Sequence, residues 1–320
     1  MVKPEHRLEY NRWQAEEERK KRNFIYRFMN NKRMVWIVGA FFALLLLIPL
    51  SALIWEPKAF NPDYVCGLKA RVVMVESDYG YGLLADTRDE YIMKIVRSHE
   101  LMHEAGGAAI KKLLKPGDVA IDIGAGFGYH TMLMAQTVGG NGFVYSFEPR
   151  AEVAHLLEAS SLINKLHQVR VKNALLYSSN VNVLLEQFEN YMEVSRIVIG
   201  KSMSEVKRGS MEIASAYKVD DLVSPTNVKL IRINALGAEL AVLEGAQNIM
   251  SHSPKISVLM YWDMQRLLQY SNVSAFIDDM LDLGFEFWSV GYDGNLRLLT
   301  KDVLIHNYRG DIIISRDHIN

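Results

Sequence analysis

The chain has 320 residues and a formal net charge of −1, room for one α/β domain with an N-terminal extension. A charge this near zero excludes a nucleic-acid partner held by phosphate neutralisation. Its one cysteine, Cys66, excludes an internal disulfide framework and a cysteine-based zinc site.

Residues 1–33 form a charged arm of ten basic and five acidic side chains. In it Glu16, Glu17 and Glu18 precede Arg19, Lys20, Lys21 and Arg22 at spacings that support a helix. Residues 34–55 carry no charge and include Leu44 to Ile48 (LLLLI). A bilayer crossing needs about 20 apolar residues, and Trp36 and Trp55 stand at the two ends as interfacial aromatics do. A single transmembrane helix is expected here. The basic excess before it keeps the N-terminus on the cytoplasmic or matrix side and puts the large domain across the membrane. The expected partners are the lipid bilayer and other membrane-protein subunits engaged through residues 1–55.

Residues 56–90 read as a linker and pre-domain segment, with Pro57, Pro62 and a tight turn at Asp78 to Gly82 (DYGYG). The main domain is expected over 91–320. Residues 91–114 repeat apolar positions at helical spacing and contain His99 to His103 (HELMH). On a helix that pattern puts two imidazoles on one face for zinc, with Glu100 as a base. A zinc site needs a third protein ligand, and Ala109 stands where the longer pattern would place a histidine. Two solvated helix histidines are the competing reading, and no metal is expected.

Residues 119–129 (VAIDIGAGFGY) are the most informative stretch. They read as a buried strand over 119–123, a glycine-rich turn and a helix over 129–138. Asp122, Gly124, Gly126 and Gly128 form D-x-G-x-G-x-G. Glycines let the backbone turn tightly beside a ligand, and the helix N-terminus offers free N–H groups. His130, opening that helix, either faces the ligand or packs. A second strand, 142–147, ends at Glu148, 20 residues after the last glycine. An acid there can accept hydrogen bonds from ribose hydroxyls. Dinucleotide sites show G-x-G-x-x-G; alternating glycines after an aspartate suit a nucleoside with a charged amino-acid tail better than a diphosphate.

Further strands are expected over 169–175, 228–234 and 255–262, with helices over 151–164, 237–250 and 274–283. Strands and helices alternating in this way imply a mostly parallel sheet covered on both faces. Strands 286–291 and 296–300 flank Asp293-Gly294-Asn295 as an edge hairpin, and 311–315 closes the fold. Asn272 to Ser274 (NVS) matches a glycosylation acceptor triplet at the start of a helix.

Several of these stretches occur together in one family. Residues 114–118 (LKPGD), 147–150 (FEPR), 219–222 (VDDL), 231–239 (IRINALGAE), 284–290 (GFEFWSV) and 293–296 (DGNL) stand in a recurring order. Over roughly residues 91–315 the chain resembles the FkbM family of S-adenosylmethionine-dependent methyltransferases. The resemblance implies an α/β, Rossmann-like, mostly parallel sheet with helices on both faces, here preceded by a single transmembrane helix. It also implies S-adenosylmethionine as cofactor. Asp122 and Gly124, Gly126 and Gly128 would serve the methionine portion, Glu148 would hold the ribose, and Ala174 would touch adenine.

The acceptor side departs from the family. Where it usually reads IKIDVEGAE, this chain has Asn234 and Leu236 in place of two acids. Asparagine cannot take a proton, and general-base assistance is worth about 10²–10⁴ in rate. The strand ending near Trp262 also lacks the family's acid: Met260 and Tyr261 stand there, with Asp263 just beyond. Glu239 reads as a first-turn helix acid or as a reacting group. No catalytic residue is identified. The expected function is an accessory, largely non-catalytic subunit of a membrane complex that still binds S-adenosylmethionine. The alternative is an active methyltransferase acting on a small molecule, glycan or protein. Because small molecules reach the mitochondrial intermembrane space through porins, the inner mitochondrial membrane is the expected location, with a bacterial inner membrane as the alternative.

Overall fold

The computed structural model describes residues 71–98, 104–188, 190–198, 211–224, 227–291, 294–306 and 308–316. The chain divides into Met1–Asn61 and Pro62–Asn320, and every described element belongs to the second unit. A hairpin of β1 (Val72–Glu76) and β2 (Gly82–Asp86) leads through α1 (Glu90–Ser98) and α2 (Glu104–Leu113). Residues 91–114, expected to form one or two helices, thus carry α1 and α2. His99 and His103 lie outside the described residues.

Alternation then begins: β3 (Val119–Ile123), α3 (Tyr129–Val138), β4 (Phe143–Glu148), α4 (Ala151–Ile163) and β5 (Val169–Asn173). Next come β6 (Leu175–Leu176), β7 (Val181–Phe188), β8 (Tyr191–Val198), β9 (Met211–Tyr217) and α5 (Val219–Leu222). The second half runs β10 (Leu230–Ile233), α6 (Glu239–Glu244), α7 (Gln247–His252), β11 (Ser257–Asp263), α8 (Met264–Leu267) and α9 (Val273–Asp282). It ends with β12 (Glu286–Val290), β13 (Leu296–Leu299), α10 (Lys301–Ile305) and β14 (Arg309–Ser315).

Eight strands form the main sheet in the order β13-β12-β14-β11-β10-β3-β4-β5. From β11 to β5 all pairs are parallel, whereas β14 runs antiparallel between β11 and β12. The chain winds from β3 outward to β5, then crosses back to β10 and winds the other way. Ligands of such sheets sit where the order reverses, outside the carboxyl ends of the strands. Here that point lies between β3 and β10.

Burial explains the composition of the central strands. All four residues of β10 (LIRI) and the last four of β3 (VAIDI) are buried, as expected of parallel strands covered on both faces. The two charged exceptions, Asp122 and Arg232, stand opposite each other in register. Helix α3 is buried at Tyr129 through Ala135 and at Val138, and its sequence carries no Asp, Glu, Lys or Arg. Ile110, Phe127, Met132 and Leu133 pack into the same core, each such side chain contributing about 1.5–3 kcal/mol.

Three expectations are modified by packing. The 237–250 helix breaks into α6 and α7 at Gly245, where an added Cβ would lie 2.3 Å from the Tyr177 carbonyl oxygen of a crossing chain. The last strand does not merely close the fold but inserts between β11 and β12. A four-stranded sheet, β6-β9-β7-β8, occupies residues for which no pattern had been visible. Most of β7 is only half-buried or exposed, so its sequence lacks the clean alternation of a strand with a core face. Asn272 caps α9, accepting a hydrogen bond from the Ala275 N–H, which accounts for it structurally.

One expectation is corrected. Among the described residues no helix is long and apolar enough to cross a membrane. The longest, α4, has 13 residues, about 20 Å of helix against a hydrocarbon core of about 30 Å. Residues 34–55, on which the transmembrane helix and the single-pass inner-membrane placement rested, lie outside the described residues. Among the described residues the fold is the Rossmann-like α/β sheet, and the membrane placement is withdrawn.

Candidate active site

The turn after β3 and the turn after β10 meet at the reversal point. Gly124 has φ of +69°, and a Cβ there would lie 2.0 Å from the Asn234 carbonyl oxygen. Only glycine allows both the left-handed backbone and this approach. The loop is held from β4. Gly124 and Ala125 donate their N–H groups to the Phe147 carbonyl, and Gly126 donates to Glu148 Oε2 at 2.9 Å. The other oxygen of Glu148 accepts from the Arg150 N–H at 2.9 Å. With the N–H of Gly128 bonded to the Ala125 carbonyl as well, most of the loop's donors are engaged inside the protein. A phosphate cradle needs such donors free. The loop is therefore shaped for close approach and not for a diphosphate.

Two clefts open at this edge and share Asn234. The first is lined by Gly124, Glu148, Ala174, Leu175, Ile197, Ala238 and others. One wall is apolar and comes from the second sheet, where Ile197 packs with Ala238. Glu148 stands at the acidic edge. The hydroxyl of Ser195, on β8, is buried with no hydrogen-bond partner among the described residues, and Ser195 lines this cleft. An apolar slot with a carboxylate at one edge and an unanswered hydroxyl suits a nucleoside.

The second cleft lies on the β11 side. Its lining includes His130, Arg232, Leu236, Glu239, Tyr261, Asp263, Arg266 and Asp311. Leu236 has φ of +52°, uncommon for a residue with a branched side chain. His130 lies against Gly106, where an added Cβ would be 3.1 Å from Nε2, and edge-on to Tyr129.

The carboxylates of the second cleft differ sharply in what they hold. Glu239 accepts from the Ala235 N–H at 3.0 Å and from the Gly237 N–H at 2.8 Å, which ties the turn together. Burial pushes its carboxyl above the ordinary value, and those hydrogen bonds act against the rise. Asp263 is clasped by Arg309 at 2.6 Å and approached by Arg266 at 3.4 Å, while its Oδ1 caps α8. Burial would raise its pKa, but the guanidinium of Arg309 and the cap bonds hold it below the usual carboxylate range. Asp311 is different. No described residue donates a hydrogen bond to its side chain, and burial pushes it up to about 6 against the opposing charge of Arg232.

Of the residues expected to bind cofactor, Gly124, Glu148 and Ala174 line the first cleft. Asp122, Gly126 and Gly128 stand behind it. Asp122 is fully buried, with Oδ1 on Arg232 Nη1 at 3.0 Å and Oδ2 on the Thr131 hydroxyl at 2.6 Å. The same Arg232 nitrogen also donates to the Gly124 carbonyl at 3.0 Å. Asp122 thus acts on the glycine loop through Arg232. The sequence reading missed Arg232, Ser195 and Asp311. A charge inside an otherwise apolar strand was the available signal for Arg232; nothing local marked the other two.

The sequence profile described as Protein-L-isoaspartate(D-aspartate) O-methyltransferase matches residues 87–211. The match spans the glycine loop and Glu148 but ends before β10. Among solved structures, the chain is similar to an S-adenosylmethionine-dependent O-methyltransferase from Thermotoga maritima, at 13% identity and a TM-score of 0.39, covering 78% of this chain and 79% of that one. It is similar to a SAM-dependent methyltransferase from Aquifex aeolicus at 15% identity and a TM-score of 0.40, covering 70% and 96%. A methyltransferase-like protein from Streptococcus mutans in complex with SAH matches at 9% identity and a TM-score of 0.40, covering 66% and 96%. No curated protein matches the sequence. At these scores the superpositions add no argument of their own; the strand order and the two turns define a methyltransferase-like, class I fold.

Proposed function

We propose that this chain binds S-adenosylmethionine across the Asn234 seam, with the nucleoside in the first cleft and the reacting end facing the second. The observation that carries this reading is the buried Ser195 hydroxyl, without a hydrogen-bond partner among the described residues, in a slot edged by Glu148. An unsatisfied buried hydroxyl costs about 1–3 kcal/mol, which a polar atom of a nucleoside would offset. When bound, S-adenosylmethionine supplies an electrophilic methyl on a sulfonium. The protein's part is to orient the ligand with Gly124, Glu148, Ala174 and Ser195 and to present an acceptor from the second cleft. The FkbM resemblance is the finer form of this reading. Its FEPR and IRINALGAE stretches fall on the turns that border the clefts. The accessory role in a membrane complex, read from Asn234 and Leu236 together with residues 1–55, is not carried forward.

Calorimetric titration of the full chain tests the reading. S-adenosylmethionine and S-adenosylhomocysteine are both expected to bind. Ser195→Ala should weaken both about threefold to tenfold, the worth of one buried hydrogen bond. Absence of heat for either ligand at millimolar concentration would overturn it.

A further inference from the structure

Asn234 and Leu236 leave the second cleft without the acids the resemblance led one to expect, yet three carboxylates line it. Two are engaged in holding structure: Glu239 ties the 235–237 turn, and Asp263 caps α8 and pairs with Arg309. The third is delivered by β14. Because β14 runs antiparallel to β11, its beginning, not its end, reaches the ligand edge, placing Asp311 opposite Tyr261. By strand alternation Asp311 shares a face with Ile313, Leu259 and Arg232, the face on which Asp122 also points.

We propose that Asp311 is the general base of this site and that the acceptor is a hydroxyl, which enters the second cleft with its proton. The inference rests on the methyl-transfer reading above. The acceptor oxygen forms its bond to the methyl carbon as the C–S bond breaks. That bonding pair stays on sulfur, leaving the neutral thioether. The hydroxyl proton passes to the Asp311 carboxylate and from there to water. A carboxylate held near 6 is ionised at neutral pH and is a stronger base than an ordinary aspartate. An acceptor that is already ionised would need none of this.

The groups that face Asp311 in the cleft are His130 from α3, Arg232 from β10, Glu239 from α6, Tyr261 and Asp263 from β11, and Arg266 from α8, with Arg309 on its own strand. Of these, His130 and Glu239, whose carboxyl burial also raises, are the competing sources of any titration near neutrality.

A base for this transfer must stand near the methyl, so its charge must respond to a sulfonium. The test is the ratio of S-adenosylmethionine to S-adenosylhomocysteine affinity in the full chain, measured by calorimetry from pH 5 to 7.5. The ratio should rise about fivefold in favour of the sulfonium over this range, as one unit of coupled pKa shift gives. Asp311→Asn should flatten that rise, and His130→Gln should leave it in place. Binding of both ligands with a pH-independent ratio in the parent chain would overturn the proposal while sparing the cofactor reading. A rise abolished by His130→Gln and retained in Asp311→Asn would overturn it equally. If neither ligand binds, the cofactor reading falls and this proposal with it.

Discussion

The two clefts either side of Asn234 are built from the same kinds of turn but differ in where their reactive groups come from. In the first cleft, the motif carboxylate Glu148 both lines the cleft and braces the glycine loop, and the group without a hydrogen-bond partner among the described residues is a neutral hydroxyl from β8. On the β11 side, Glu239 and Asp263 are bound into the framework, and the unengaged group is a carboxylate from β14. In both clefts the motif residues make the shape. The groups left available for a ligand arrive on strands that the motifs do not contain.

The seam between the clefts offers the sharpest way to break this picture. Gly124→Ala would drive a Cβ into the Asn234 backbone, which cannot rotate away, and should cost about 4 kcal/mol or more. At Gly128, φ is also positive, but the obstacle is the Leu157 methyl, which can move. Gly128→Ala should therefore cost only about 2 kcal/mol. Urea unfolding midpoints compare the two; equal losses would mean that the turns do not meet as described.

The next largest effect concerns the link behind both clefts. Arg232→Met leaves the fully buried Asp122 without its cation and should cost about 3–4 kcal/mol by the same measurement. Adding Asp122→Asn should recover much of that loss, because the uncompensated charge is then gone. A double variant as unstable as the single one would show that Arg232 acts by packing alone.

The smallest effect separates the two carboxylate environments. The Asp311 carboxyl sits at about 6 in the folded chain against an ordinary 3.8. A raised folded-state value means the native chain holds the proton more tightly. The group's favourable contribution is then complete below about pH 4 and is lost as pH rises through about 6. Asp311→Asn should exceed the parent in stability by on the order of 1 kcal/mol at pH 7.5 and match it at pH 4. Thermal melts at the two pH values check this. Asp263→Asn, by contrast, should destabilise most at neutral pH, where its lowered carboxyl is ionised and paired.

Some of this was readable from residues alone. The run from Val119 to Glu148 is local: strand, glycine turn, helix, strand and acid follow one another within 30 residues. Their spacing encodes the cradle directly, and all of it formed as expected. The second sheet was not readable, because only isolated residues of its strands, such as Leu185 and Ile197, are buried and they make no regular period. The 237–250 helix was misread because its break answers to Tyr177, a residue remote in sequence.

The amino-acid sequence by itself determined the alternating α/β framework, the glycine turn, the position of Glu148 and the loss of acids at 234 and 236, since each depends on neighbours along the chain. Only the tertiary structure decided that Asp122 answers to Arg232, that Ser195 reaches the first cleft, and that Asp311 stands at the carboxyl edge of the sheet. Those three depend on strand order and direction. An antiparallel β14 inserted beside β11 brings its first residues, not its last, to the carboxyl end of the sheet, and no local pattern in residues 309–315 reports which neighbour a strand will choose.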